Sequence, residues 1–299
     1  MINPFTKEYE TDTTDPVLIQ SAQTGSREAL EELILRHQPW IYNIALRMLL
    51  NVHDAEDVTQ EIIIKVITKL STFKGKSSFR TWLYRIVANH VINMKKNNCE
   101  KKIMSFNEYG RQLNKTPEFE LPDKNSVPVD IHILIEEAKI GCMTGMLLCL
   151  NRDQRIAFIL GELFNISDSI GSEILKITKN NFRKRLSRAR KNLYGFMNEK
   201  CGLIKPDNPC QCAKKTAAWI RSNLVDPKSL KFNKLNLKKI KDISENKSKR
   251  LENLLDNKCA ELFRDHPFHD PPDFVKSFRQ MIENKQFQEI ICLSDDRVD

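Results

Sequence analysis

Long hydrophobic runs are missing from this 299-residue chain. No apolar stretch approaches the roughly 20 residues a membrane-spanning helix needs. The opening MINPFTKEYETDTTD has neither the basic head nor the apolar middle of a signal peptide, so the chain is expected to stay in the cytoplasm. Glycine is scarce, with 9 residues, and only 40% of the chain is hydrophobic. That disfavours a glycine-punctuated sheet protein and favours amphipathic helices joined by polar linkers. Gly-rich phosphate loops, HExxH, GxSxG and paired carboxylates are all absent, which argues against an enzyme. His37, His53, His90 and His132 are scattered without metal spacing. A reducing compartment would leave the eight cysteines as free thiols or metal ligands. No internal repeat is visible.

What is present is helical periodicity and positive charge. Leu30, Leu33, Ile34, Trp40, Ile41, Ile44, Ala45 and Met48 recur at helical spacing behind Ser26, a natural N-cap. After the break NVHD, Ala55, Val58, Ile62, Val66 and Leu70 form a second stripe. Its acidic residues (Asp54, Glu56, Asp57, Glu61) come first and Lys65 and Lys69 last, as the helix dipole favours. The loop FKGKSS leads into a third helix, FRTWLYRIVANHVINMKK. Residues 99–130 lose periodicity and read as a polar, flexible linker. From Ile131 to about residue 198 the pattern is helix, turn, helix, turn, helix.

Two segments have the chemistry of nucleic-acid contact. Lys176–Lys191 carries eight basic residues and no acidic one, while Phe182, Leu186, Ala189 and Leu193 form a stripe that docks it on a core. Eight cations within a few turns repel one another, and an anionic partner relieves that repulsion. Following a helix and a turn, with Thr178 as cap, the segment suits a recognition helix. The second segment interleaves Lys74, Lys76, Arg80, Arg85, Lys95 and Lys96 with Phe73, Phe79, Trp82 and Tyr84, a composition suited to single strands. Phe79 and Trp82 also lie on the apolar stripe, so a core role competes with base stacking.

In order and spacing, DAEDVTQEIIIKVITKL, FKGKSSFRTWLYRIVANHVI and KRLSRARKNL together resemble the extracytoplasmic-function class of bacterial sigma factors, over roughly residues 20–198. The resemblance implies an all-α protein. Residues 1–98 would bind core RNA polymerase and the minus-ten element, 99–130 would be the linker, and 131–198 a helix-turn-helix reading the minus-thirty-five element. It places Asp54, Asp57, Gln60 and Glu61 on the polymerase-binding helix. Lys74, Gly75, Lys76, Ser77 and Ser78 fall on the loop that holds a flipped base, with Arg80, Asn89, Asn93 and Lys96 beside it. Lys179, Asn180, Asn181, Arg183, Lys184, Arg185 and Arg188 fall on the duplex-reading helix. Core RNA polymerase and promoter DNA are the implied partners, an anti-sigma protein a further candidate, and no cofactor is required. Asn93 replaces the Asp usual in that class, and Gly171 stands where an apolar residue is usual. Gly171 costs about 1 kcal/mol of helix propensity against Ala, so a shifted helix start is expected there. An autonomous helix-turn-helix regulator is the alternative.

Residues 199–299, a Cys-containing junction and a helical C-terminal extension, lie outside that pattern. Cys201, Cys210 and Cys212 gather in CGLIKPDNPCQC. They are either unliganded thiols at a hinge or ligands for zinc or another soft metal, with Cys259, His266 or His269 as a fourth. The Asp-His step in FRDHPF (263–268) is the one tempting catalytic site of the extension, and without partners it reads as a capped turn.

Overall fold

The computed structural model describes residues 4–6, 9, 14–95, 105–121, 129–232, 237–239 and 254–282. Among the described residues the first unit contains α1 (Thr14–Gln23), α2 (Arg27–Leu49), α3 (Val52–Leu70) and α4 (Phe79–Asn93). Ser26 caps α2 by accepting from the Ala29 amide at 3.2 Å. The NVHD break is shorter than its sequence suggests: Leu50 turns left-handed (φ 57°) and Asn51 caps α3 through the Asp54 amide, so α3 starts two residues early. Ser78 caps α4 through the Thr81 amide. These short polar side chains satisfy amide groups that no helix turn can satisfy. The apolar stripes then meet: Trp40, Ile44, Ala55, Ile62, Leu83 and Val87 are all at most 2% exposed.

The second unit contains α6 (Ile131–Leu148), α7 (Arg152–Phe158), α8 (Asp168–Leu175) and α9 (Lys179–Lys200); a preceding helix, α5, covers Phe106–Lys115. Asn151, Ser167 and Thr178 cap α7, α8 and α9. A π-helical turn, Ile159–Leu163, extends α7. Lys176 ends α8 in the left-handed region (φ 52°), which sets the sharp turn into α9. Helix α8 begins at Asp168 behind its Ser167 cap, three residues before Gly171. Gly171 lies at a close approach, where an added Cβ would sit 2.5 Å from the Phe182 ring. The class's apolar residue is excluded there by that ring.

Beyond α9 come α10 (Cys212–Arg221), α11 (Leu254–Arg264) and α12 (Phe274–Ile282). The strands β1 (Leu237–Lys239) and β2 (Pro267–His269) pair antiparallel, with Lys238 opposite Phe268. Apart from this ribbon the secondary structure of the described residues is helical.

The expected linker differs from its reading. Ser105 caps α5, and Phe106, Tyr109 and Leu113 form a short stripe along it. Phe106 and Tyr109 face Phe196 of α9 at ring separations of 5.4 and 5.9 Å, and Lys215 donates to the Thr116 carbonyl. Three apolar residues on one face suffice to dock the segment, although its composition is polar. The remainder of the 99–130 stretch, residues 99–104 and 122–128, lies outside the described residues.

The two units pack directly on each other. Arg155 is fully buried and donates to carbonyls at the ends of both α6 and α2: Leu147 at 3.0 Å, Leu148 at 3.2 Å, Leu150 at 3.0 Å, and Met48. Helix C-termini carry partial negative charge, so two helix ends help to hold this guanidinium.

Candidate nucleic-acid interface

Helix α9 buries Phe182, Ala189 and Leu193 as its periodicity predicts, with Leu186 partly buried against the core, and buries Met197 as well. Lys179, Asn180, Asn181, Arg183, Lys184 and Arg188 are exposed on its outer side, and Arg185 is half-buried. The charge is less unrelieved than the sequence implies. Arg183 pairs with Asp168, Arg185 with Asp153 at 3.0 Å, and Arg190 with Glu162 at 2.6 Å. These acids lie on neighbouring helices, so no local reading of Lys176–Lys191 could reveal them. Lys179, Lys184 and Arg188 take no part in an ion pair with a described residue. The face remains strongly cationic and is supplied with Asn180 and Asn181 near its N-terminus, where a groove-entering helix meets base edges.

The loop before α4 is open. Lys74, Gly75, Lys76 and Ser78 are exposed and Ser77 is half-buried. Gly75 has φ 68°, a conformation that glycine adopts without strain, and no atom lies within 4 Å of where its Cβ would be. Asn89 and Asn93 are exposed on α4, with the Asn93 amide donating to the Asn89 carbonyl. Arg80 departs from its expected role. It is 4% exposed, donates to the Pro4 carbonyl at 2.9 Å and lies over the Tyr9 ring, because its position on α4 faces inward with Tyr84. Lys96 lies outside the described residues. Trp82 stacks on Phe79 at 5.6 Å and contacts Phe73 at 5.4 Å, half-buried.

On α3, Asp57 and Glu61 are exposed and Asp54 and Gln60 half-buried, opposite the Ala55, Val58 and Ile62 stripe. Glu61 lies 3.3 Å from His90, whose pKa is lowered by burial and then by Lys65.

At the junction Cys201, Cys210 and Cys212 line one small cavity together with Cys142 of α6. Cys142 is thus a fourth thiol lining that cavity, and Cys259 is buried on α11. His266 bonds instead to the Thr144 hydroxyl (2.9 Å) and the His269 amide to Asn43 (2.9 Å). Burial, then neighbouring thiols, pushes Cys210 up to about 11 and Cys212 up to about 12. Among the described residues no group of three or more His, Cys, Asp or Glu side chains is arranged to hold a metal ion. No described helix is long and apolar enough to cross a membrane.

Comparison with known proteins agrees with this geometry. Residues 33–98 match the family described as Sigma-70 region 2. The chain is 37% identical over 83 residues to the RNA polymerase sigma-H factor of Pseudomonas aeruginosa. It is 36% identical over 75 residues to the ECF RNA polymerase sigma factor SigW of Bacillus subtilis, and 39% over 80 residues to the ECF RNA polymerase sigma-E factor of Escherichia coli. Those matches cover 28%, 25% and 27% of this chain and 43%, 40% and 41% of the relatives, so the chain matches less than half of their length. A solved structure of CnrH in complex with the cytosolic domain of CnrY covers 62% of this chain and 97% of its own, at 18% identity and a TM-score of 0.44. Residues 33–98 are thus similar to region 2 of sigma-70 proteins, and over that segment the chain is similar to sigma factors of the extracytoplasmic-function class.

Proposed function

We propose that this chain is a dissociable promoter-specificity subunit of bacterial RNA polymerase, acting in the cytoplasm and without catalytic activity of its own. The observation that supports the reading is that two different surfaces suited to nucleic acid occur in one chain. An open Lys-Gly-Lys-Ser-Ser loop beside α4 lies within the region 2 match, and a cationic α9 follows a capped turn in a second unit. A duplex-binding regulator would need only α9.

In this reading α3 docks on core polymerase through Asp54, Asp57, Gln60 and Glu61. The loop 74–78, with Asn89 and Asn93, receives an unstacked minus-ten base. Extrusion costs a few kcal/mol, which hydrogen bonds to a small polar pocket and phosphate contacts offset. Helix α9 reads the minus-thirty-five duplex through Asn180, Asn181 and Lys184, with Lys179, Arg183, Arg185 and Arg188 on phosphates. Arg183 and Arg185 then exchange Asp168 and Asp153 for phosphate, so duplex binding frees those carboxylates.

The test is binding to core polymerase. The chain should form a one-to-one complex with it, and reversing Asp57 and Glu61 to Lys should weaken that complex while helicity is unchanged. A chain that does not bind core polymerase, or a reversal variant that competes equally, would contradict the assignment.

A further inference from the structure

The proposed function requires the α4 surface and α9 to reach two promoter elements about 25 base pairs apart, roughly 85 Å of duplex at about 3.4 Å per pair. In this structure they cannot. Helix α8, the first helix of the helix-turn-helix, lies directly on α4. The Thr81 hydroxyl donates to Glu173 at 3.4 Å and Arg85 donates to the Glu173 carbonyl at 3.0 Å. Arg152 donates to the Ile92 carbonyl at 2.8 Å at the other end of α4. The minus-ten helix is thus partly covered by the second unit.

The C-terminal extension adds a second tie to these direct contacts between the units. Arg264 of α11 donates to Glu162 at 2.6 Å, and Glu162, whose side chain is 2% exposed, also holds Arg190 of α9. A few residues on, β2 reaches the first unit. Asn43 and His269 exchange two hydrogen bonds, and Arg47 donates to the Pro267 carbonyl at 2.6 Å. Between these polar anchors Phe268 is fully buried, its ring 5.0 Å from Trp40 of the first unit and 6.5 Å from Phe164 of the second. Further along, Arg279 of α12 pairs with Glu31 of α2 at 2.7 Å. The segment therefore grips both units with buried bonds. A strap that touched one unit only would add nothing to the direct contacts between them.

We infer that residues 254–282 form a built-in strap that locks the two units in a closed state unable to span a promoter, and that release of the strap is the activating step. The inference rests on the proposed function. Only the open fraction could engage both promoter elements, so apparent promoter affinity is reduced by that fraction. The strap's polar anchors on the first unit, Glu31, Asn43 and Arg47, are on α2 and not on α3, so core binding through α3 does not itself require opening.

The full-length chain tests this in two readouts: amide hydrogen exchange of α4 and α8 in the free protein, and runoff transcription from a promoter selected out of random duplex by the wild-type holoenzyme. Arg264→Ala with Phe268→Ala loosens the strap. Glu173→Arg, at an exposed site far from the strap, sets a like charge beside Arg85 and opens the same contact without disturbing the buried anchors. Both variants should exchange faster in α4 and α8 while α2 and α9 stay protected. Both should raise transcript yield about tenfold at unchanged core affinity. Faster exchange with unchanged yield, or unchanged exchange in both variants, overturns the strap while leaving the proposed function standing. Transcripts from no chain at all would instead overturn the proposed function, and the strap's inhibitory role with it.

Discussion

Asn43 and His269 lie 226 residues apart and are joined by two hydrogen bonds, the Asn43 amide to the His269 carbonyl at 2.6 Å and the His269 amide to Asn43 Oδ1 at 2.9 Å. A buried asparagine thereby pairs with a strand backbone as another strand would. The same side chain accepts from Arg47 at 2.6 Å. Asn43→Ala removes these partners together and leaves a buried amide and guanidinium short of acceptors. It should cost about 2–4 kcal/mol. Urea unfolding of the variant measures this; a loss below about 1 kcal/mol would mean that the network relaxes around the gap.

Gly171 and Gly195 make a matched pair. An added Cβ at Gly171 meets the Phe182 ring at 2.5 Å, whereas at Gly195 nothing lies within 4 Å. Gly171→Ala should destabilise by about 1–3 kcal/mol through overpacking, outweighing its gain in propensity. Gly195→Ala should stabilise by about 0.5–1 kcal/mol. Denaturant midpoints of opposite sign are expected, and stabilisation by both would show that the Phe182 ring moves freely.

Asp15 provides a pH signature. Burial would raise its pKa, but His37, Tyr9 and Arg36 bond to its carboxylate and hold it at about 2, below the ordinary 3.8. A depressed folded pKa gives stability that is fully present above the unfolded value and is lost as pH falls through the folded one. The difference of 3.8 and 2, converted at 1.36 kcal/mol per unit, is about 2 kcal/mol, lost between pH 4 and pH 2. Asp15→Asn should flatten the stability curve in that window. An identical curve for both proteins would contradict the carboxylate's role.

The junction thiols should be slow to react. With Cys210 raised to about 11 and Cys212 to about 12, iodoacetamide at pH 7.5 should modify them far more slowly than an exposed cysteine, since the thiolate is the nucleophile. Mass mapping of the alkylated sites reads this. Metal analysis of protein purified without chelator should find well under one equivalent of zinc or copper; a stoichiometric metal with protected thiols would show that the three sulfurs draw together around it.

Local features were legible in the sequence where the signal was local. Ser26 and Thr178 cap the helices they precede, and Phe182, Ala189 and Leu193 dock α9 as their spacing requires. Features made by distant partners were not. Glu162 holds Arg190 and Arg264, 28 and 102 residues away, and Arg80 turns inward because Pro4 and Tyr9 meet it there. Helix α5 escaped because three apolar residues in a polar stretch look like a linker until Phe196 is beside them.

The recognition helix separates two contributions. Arg188 is exposed, so Arg188→Ala should reduce the salt slope of promoter binding by about 0.9 at little cost in stability. Arg183→Ala also removes the Asp168 pair. An unchanged slope for Arg188→Ala would take that residue off the phosphate backbone.

Runoff transcription with purified core polymerase tests the central claim most directly. Core polymerase with this chain should yield transcripts from one defined start on a promoter selected by that holoenzyme, and the Arg183→Ala, Arg185→Ala, Arg188→Ala triple variant should lose them while keeping its helicity and core affinity. Transcripts that do not depend on the chain, or a triple variant as active as the wild type, would contradict it.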